Sequence, residues 1–364
     1  MIINKELRLP FYAKATVFLI GLYALLVMLY IARGIIIPLV FATIISIVLH
    51  PVVTFFVRLR INRLIAIILT LFLTFLVIAT VGILLFSQAS RFGESWPILV
   101  DRFTCILNQT ITKESGYFNI NPQSIHEWIT KTKGELINIS SAAIGQTLIT
   151  VGSGLVVLFL VPVYIFMILF YHPILLEFLH KLFGRSNQSK VSEIVKQIKT
   201  VIQRYLKGLV IEAVIVATLY STTLLVLGID YAVILGVIGA LLNVIPYIGG
   251  LTAIALTMMV ALATKTTGWY AFYVLIIYYF IHMVDYNYII PKIVASKVKI
   301  NALFSIIAVI IGNALWGIPG MFLSIPLLAI IKLIFDHIES LKPWGFLLGD
   351  DMPSLLKTKK KPIE

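Results

Sequence analysis

The chain has 364 residues, of which 60% are hydrophobic and 12% charged. A soluble domain carries about 25% charged residues, so this composition, with a mean hydropathy of +1.02, excludes a water-soluble fold. The net charge of +13 does not indicate a nucleic-acid partner, because the basic residues lie in loops that flank apolar spans, as in inward-facing loops of membrane proteins.

The expected fold is all-α and polytopic, with about eight hydrophobic segments. Residues 1–86 are expected to hold three transmembrane helices, near 15–32, 35–57 and 64–86. Lys5, Arg8 and Lys14 precede the first. Its apolar run exceeds the roughly 7 to 15 residues of a signal-peptide core, so it reads as a retained helix. Arg58, Arg60 and Arg63 form a short basic loop after the second.

Residues 87–143 are polar and neutral, with five basic and five acidic residues. They are expected to form a helical extracytoplasmic domain with a turn at Asn121-Pro122. A fourth transmembrane helix is predicted at 144–171. Residues 172–207 carry seven basic and two acidic residues. Within them Val191, Ile194, Val195, Ile198, Val201, Ile202, Tyr205 and Leu206 follow helical spacing. That pattern predicts a cytoplasmic amphipathic helix at the membrane face. Residues 208–336 read as a transport core, and 337–364 as a cytoplasmic basic tail.

The core contains two long apolar stretches broken at their centres. One, from Tyr231 to Thr264, is interrupted by the run from Asn243 to Gly250, and the other, from Ala302 to Phe335, by the run from Gly312 to Gly320. Irregular backbone at membrane depth is tolerated where protein or a water-filled cavity covers it. Discontinuous helices of this kind build substrate sites in secondary transporters. Each stretch either crosses the membrane fully or folds as a re-entrant hairpin. Both arrangements leave the two termini cytoplasmic, but only the hairpins put Lys292, Lys297 and Lys299 on the basic side favoured by loop charge.

Candidate substrate- or ion-binding residues cluster at these breaks. Asp285, an acid at the edge of an apolar run, is the strongest, because burying a carboxylate in a membrane is costly. Its expected role is coupling-ion ligand or proton carrier, unless it simply pairs with Lys292. Asn287 could add a neutral oxygen ligand. Glu212 lies a short way into the fifth span. Asn243 and Asn313 flank the breaks and could serve freed backbone groups or substrate. Pro246 stops a helix, and Gly249, Gly250, Gly317 and Gly320 permit backbone shapes closed to other residues. Exposed half-helix ends would then offer carbonyls to cations or amides to anions.

The order and spacing of several blocks resemble the AI-2E family of transporters, named for autoinducer-2 export. These blocks are Tyr205-Leu206-Lys207-Gly208, Ile245-Pro246-Tyr247-Ile248-Gly249-Gly250, Asp285-Tyr286-Asn287-Tyr288-Ile289-Ile290-Pro291, Gly312, Gly317-Ile318-Pro319-Gly320 and Ile325-Pro326. The resemblance covers about 205–335; the N-terminal half matches in span layout. It implies a multi-pass protein of the bacterial cytoplasmic (inner) membrane and a homo-oligomer. It also implies export of a small polar signalling molecule, as in quorum sensing, or antiport of sodium or protons.

An enzyme is the rival from another class. His126-Glu127-Trp128-Ile129-Thr130 opens like a zinc motif but lacks the second histidine, and the lone Cys105 has no activating partner in sequence. The expectation is a non-enzyme without cofactor, using Na+ or H+ as coupling ion, with the lipid bilayer, a small polar substrate and further copies of itself as partners. A passive channel, or a scaffold acting through 87–143, are the alternative functions.

Overall fold

The structure is a computed structural model and describes residues 10–118, 122–183, 188–245, 248–265, 267–294 and 300–350. It is built of helices: α1 (Phe11–Ile31), α2 (Arg33–Arg58), α3 (Arg63–Phe118), α4 (Pro122–Leu182), α5 (Gln188–Val226), α6 (Ala232–Asn243), α7 (Ile248–Thr264), α8 (Trp269–Val284), α9 (Ala302–Trp316), α10 (Ile318–His337) and α11 (Lys342–Leu348). Among the described residues the only β-type pairing is an isolated bridge between Ile300 and Gly349. Among the described residues, seven helices are long and apolar enough to cross a membrane. The all-α, polytopic expectation therefore holds.

Two helices are far longer than a bilayer requires. α3 has 56 residues and α4 has 61, or about 84 and 90 Å at 1.5 Å per residue, against ~30 Å of hydrocarbon. They run antiparallel. Arg63 Nη2 donates to the Leu169 carbonyl at 2.8 Å near one end, and Lys133 pairs with Asp101 at 2.8 Å near the other. The polar segment 87–143 is thus the continuation of these two helices, and Asn121 of the expected turn lies outside the described residues. Its base is tied to the core: Phe92 and Leu99 are buried with α6, α7 and α8 residues, and Tyr231 donates to Ser95 Oγ at 2.7 Å. Likewise the amphipathic helix predicted at 191–206 is the first half of α5, which continues without a break into the fifth span.

Both broken stretches fold as helical hairpins. α6 and α7 pack face to face, with Gly239 against Tyr220 of α5 and Ala253 of α7. The ends of this hairpin lie together: a Cβ at Gly228 would sit 3.5 Å from Lys265 Nζ. α9 and α10 meet more closely, with Gly312 and Gly320 in backbone contact that leaves no room for a Cβ on either. The turn between them is Gly317, at φ +65°, a conformation that side chains disfavour. This hairpin also closes on itself, because Asn301 N donates to the Leu348 carbonyl at 2.9 Å. Each stretch therefore leaves from and returns to one side of the bundle. α6, with 12 residues, is about 18 Å long, too short to span. Lys297 and Lys299 lie outside the described residues.

Candidate functional site

The site is built on one face of α5. Tyr205, Leu209, Glu212, Val216, Tyr220 and Leu224 are buried there, a stripe at steps of three and four residues that faces one neighbour. Apolar members pack in the core, and Glu212 is the acid among them, only 6% exposed.

Asn243 is the last residue of α6, at the tip of the first hairpin. Its Nδ2 donates to Asp285 Oδ2 at 2.8 Å and approaches Glu212 Oε1 at 3.4 Å. One amide thus spans two carboxylates from two other helices. Asp285 is 1% exposed and begins a π-helical stretch, Asp285–Val294, that continues α8. The wider π turn is rare and recurs at functional sites. Here Asp285 is buried, while Tyr286 and Tyr288 are 49% and 62% exposed.

Two further polar groups border the acids. His282 lies one turn before Asp285, stacked on Tyr286 with ring centroids 5.7 Å apart and edge-on to Tyr220 at 6.4 Å. Tyr220 stacks on Tyr278 at 4.1 Å, and the Tyr278 hydroxyl shares a 2.9 Å hydrogen bond with Thr257. Among the described residues, Asp285 Oδ1, His282 Nδ1 and the Tyr220 hydroxyl are buried without a hydrogen-bond partner. Buried polar atoms are normally satisfied, so one oxygen of this acid and two polar atoms beside it make the cluster the candidate site.

No lysine or arginine pairs with Glu212 or Asp285 among the described residues. Lys292, the alternative partner of Asp285, is exposed. Two buried carboxylates without a basic partner are costly if both are charged. A proton or a small cation at the pair removes that cost.

Of the residues singled out in the sequence, Glu212, Asn243 and Asp285 come together. Gly250 borders them, since its missing side chain makes room for the His282 ring. Gly249 lies against the Leu242 carbonyl and lets α7 start close under the tip of α6. Pro246 lies outside the described residues. Asn287 is not part of the cluster: it is exposed and donates to the Met283 carbonyl of its own helix at 2.7 Å. Asn313, Gly317 and Gly320 belong to the second hairpin. Asn313 has an exposed side chain, and its carbonyl accepts from Gly317 N at 2.8 Å. Tyr220 and His282 were not singled out. The available signal was register, because Tyr220 follows Glu212 by eight residues and His282 precedes Asp285 by three, both same-face spacings.

Comparison with known proteins identifies a family. The family model described as AI-2E family transporter matches residues 19–340. A "Putative transport protein" of Haemophilus influenzae is 26% identical over 356 residues, covering 91% of this chain and 96% of the relative. "Putative transport protein YueF" of Bacillus subtilis is 26% identical over 161 residues, covering 44% of this chain and 43% of the relative. "Putative permease PerM" of Escherichia coli is 26% identical over 179 residues, covering 49% and 50%. The chain thus aligns with less than half of YueF and with nearly all of the Haemophilus protein. With its helical hairpins and buried acid pair in place, the chain belongs to the AI-2E family of transporters.

Proposed function

We propose that the protein is a secondary transporter of the bacterial inner membrane that exports a small polar solute, such as a signalling molecule or metabolite, by exchange with Na+ or H+. The observation that carries this reading is the buried Glu212–Asn243–Asp285 cluster. Two acids bridged by an amide hold a cation or a proton, and their charge changes when it leaves. A charge change at a hairpin tip favours a different packing of that tip, which is the differential interaction that alternating access requires.

The basic 58–63 loop and 172–207 region support a cytoplasmic N-terminus. The first hairpin then enters from outside, and its tip carries Asn243 down toward the cytoplasmic end of α5. Movement of the Asn243–Gly250 tip would open the acids to one side or the other. A passive channel shares the hairpins but needs no titrating or cation-binding pair at their tip.

The test compares small polar solutes released by cells expressing the wild-type chain or Asp285→Asn at equal membrane levels. The reading predicts a solute that accumulates outside with the wild type and not with the variant. Identical release from both contradicts it.

A further inference from the structure

A second polar cluster lies away from the acid pair, where four helices meet near the Arg58–Arg63 loop. His50 of α2, Arg63 at the start of α3 and His172 of α4 line a cavity of about 240 Å³. Lys199 of α5 reaches the same cluster, with Nζ 3.0 Å from His50 Nδ1. The His50 and His172 rings are 4.7 Å apart. Val53, Val57 and Leu169 form the apolar part of the wall.

The chemistry of this cavity is one-sided. An ammonium only donates, so His50 Nδ1 accepts from Lys199 and its Nε2 carries the ring proton. Arg63 spends one N–H on the Leu169 carbonyl at 2.8 Å, which leaves four of the five guanidinium donors. The Thr54 hydroxyl donates to the His50 carbonyl at 2.8 Å. Among the described residues no carboxylate forms an ion pair with Arg63 or Lys199. One cation in the wall, Arg63, a second, Lys199, held behind His50, imidazole N–H donors and no acid in the lining make a site for an oxyanion. Basic pockets between transmembrane helices at a membrane face suit lipid phosphates, and the apolar wall suits whatever the phosphate is attached to.

We propose that this cavity binds a phosphate group, either the head of an anionic phospholipid or the phosphate of a soluble ester. The bound phosphate would bridge α2, α3, α4 and α5 at one end of the bundle. It does not depend on the transport reading above.

The test uses the full-length chain purified in a neutral detergent. Fluorescent phosphatidylglycerol is titrated against phosphatidylcholine of the same chains, and inorganic phosphate is titrated alone by calorimetry. Variants are Lys199→Gln, His172→Gln, the charge-keeping Lys199→Arg, and Lys181→Gln, an exposed lysine outside the cavity. Each is used only if it elutes and melts like the wild type. Loss of one charged donor is expected to weaken phosphate-group binding about tenfold in Lys199→Gln, and less in His172→Gln. Lys199→Arg and Lys181→Gln should bind like the wild type. Phosphatidylglycerol binding that inorganic phosphate does not displace identifies the lipid headgroup; displacement by phosphate identifies a soluble phosphate. Equal affinity of wild type and Lys199→Gln for both probes, or no binding of either probe above phosphatidylcholine, overturns the proposal.

Discussion

Gly250 and His282 occupy one shared space: a methyl group at position 250 would lie on the imidazole of His282. The ring is also confined by Tyr220 and Tyr286, so it has little freedom to move aside. Gly250→Ala should therefore cost about 1–3 kcal/mol, the usual penalty of overpacking. The pairing makes a sharper prediction than the loss itself. His282→Ala removes the obstacle, so the double variant should be less destabilised than the sum of the singles. Thermal unfolding of all four proteins in detergent measures that coupling.

The second hairpin depends on a backbone contact. Gly312 and Gly320 lie with each other's carbonyls where a side chain would be, and a carbonyl cannot rotate away as a side chain can. Gly320→Ala should separate α9 from α10 and lower thermal stability more than Gly250→Ala does. Little change in melting temperature would show that the two helices can part without cost.

Tyr278→Phe separates packing from chemistry. The hydroxyl shares a 2.9 Å hydrogen bond with Thr257, and the ring stacks on Tyr220. Removing the hydroxyl should cost about 1 kcal/mol and leave ion dependence unchanged, because Tyr278 contacts neither acid in the hydrogen-bond network. A changed ion dependence would extend the site to Tyr278.

Topology gives a further prediction. A hairpin that opens and closes on one side leaves the membrane-sidedness of the chain unaltered. α8 then ends on the face that carries the 58–63 loop. In a Cys105→Ala background, a cysteine placed at Lys292 should resist an impermeant thiol reagent in intact cells and react in inverted vesicles. Labelling from outside would require the first broken stretch to cross fully.

The acids of the site were legible in the sequence because a carboxylate in an apolar run has few bland explanations. Asn243 was legible as a polar residue at a helix break. Asn287 is close to Asp285 in sequence but not in the cluster, because residues two apart on a helix face different ways. Asn313 flanks its break in sequence much as Asn243 does. In space they differ: the first tip meets two carboxylates, and the second is closed by glycine backbones. Tyr220 and His282 sit in apolar runs where aromatic residues read as packing, and only the fold aligns them with the acids. The 87–143 segment stands out in sequence because the composition changes at Ser87. Helix continuity, however, follows backbone geometry, and α3 runs on through Gly93 and Pro97.

Glu212 and Asp285, united by Asn243, form the proposed coupling-ion site. The most direct measurement reconstitutes wild type, Asp285→Asn and Glu212→Gln into vesicles with a trapped pH-sensitive dye. Na+ gradients and electrical gradients are then imposed in turn. The wild type is expected to move protons under at least one gradient, Asp285→Asn to be silent under both, and Glu212→Gln to be strongly reduced, all at equal incorporation. Proton movement by Asp285→Asn equal to that of the wild type would contradict it.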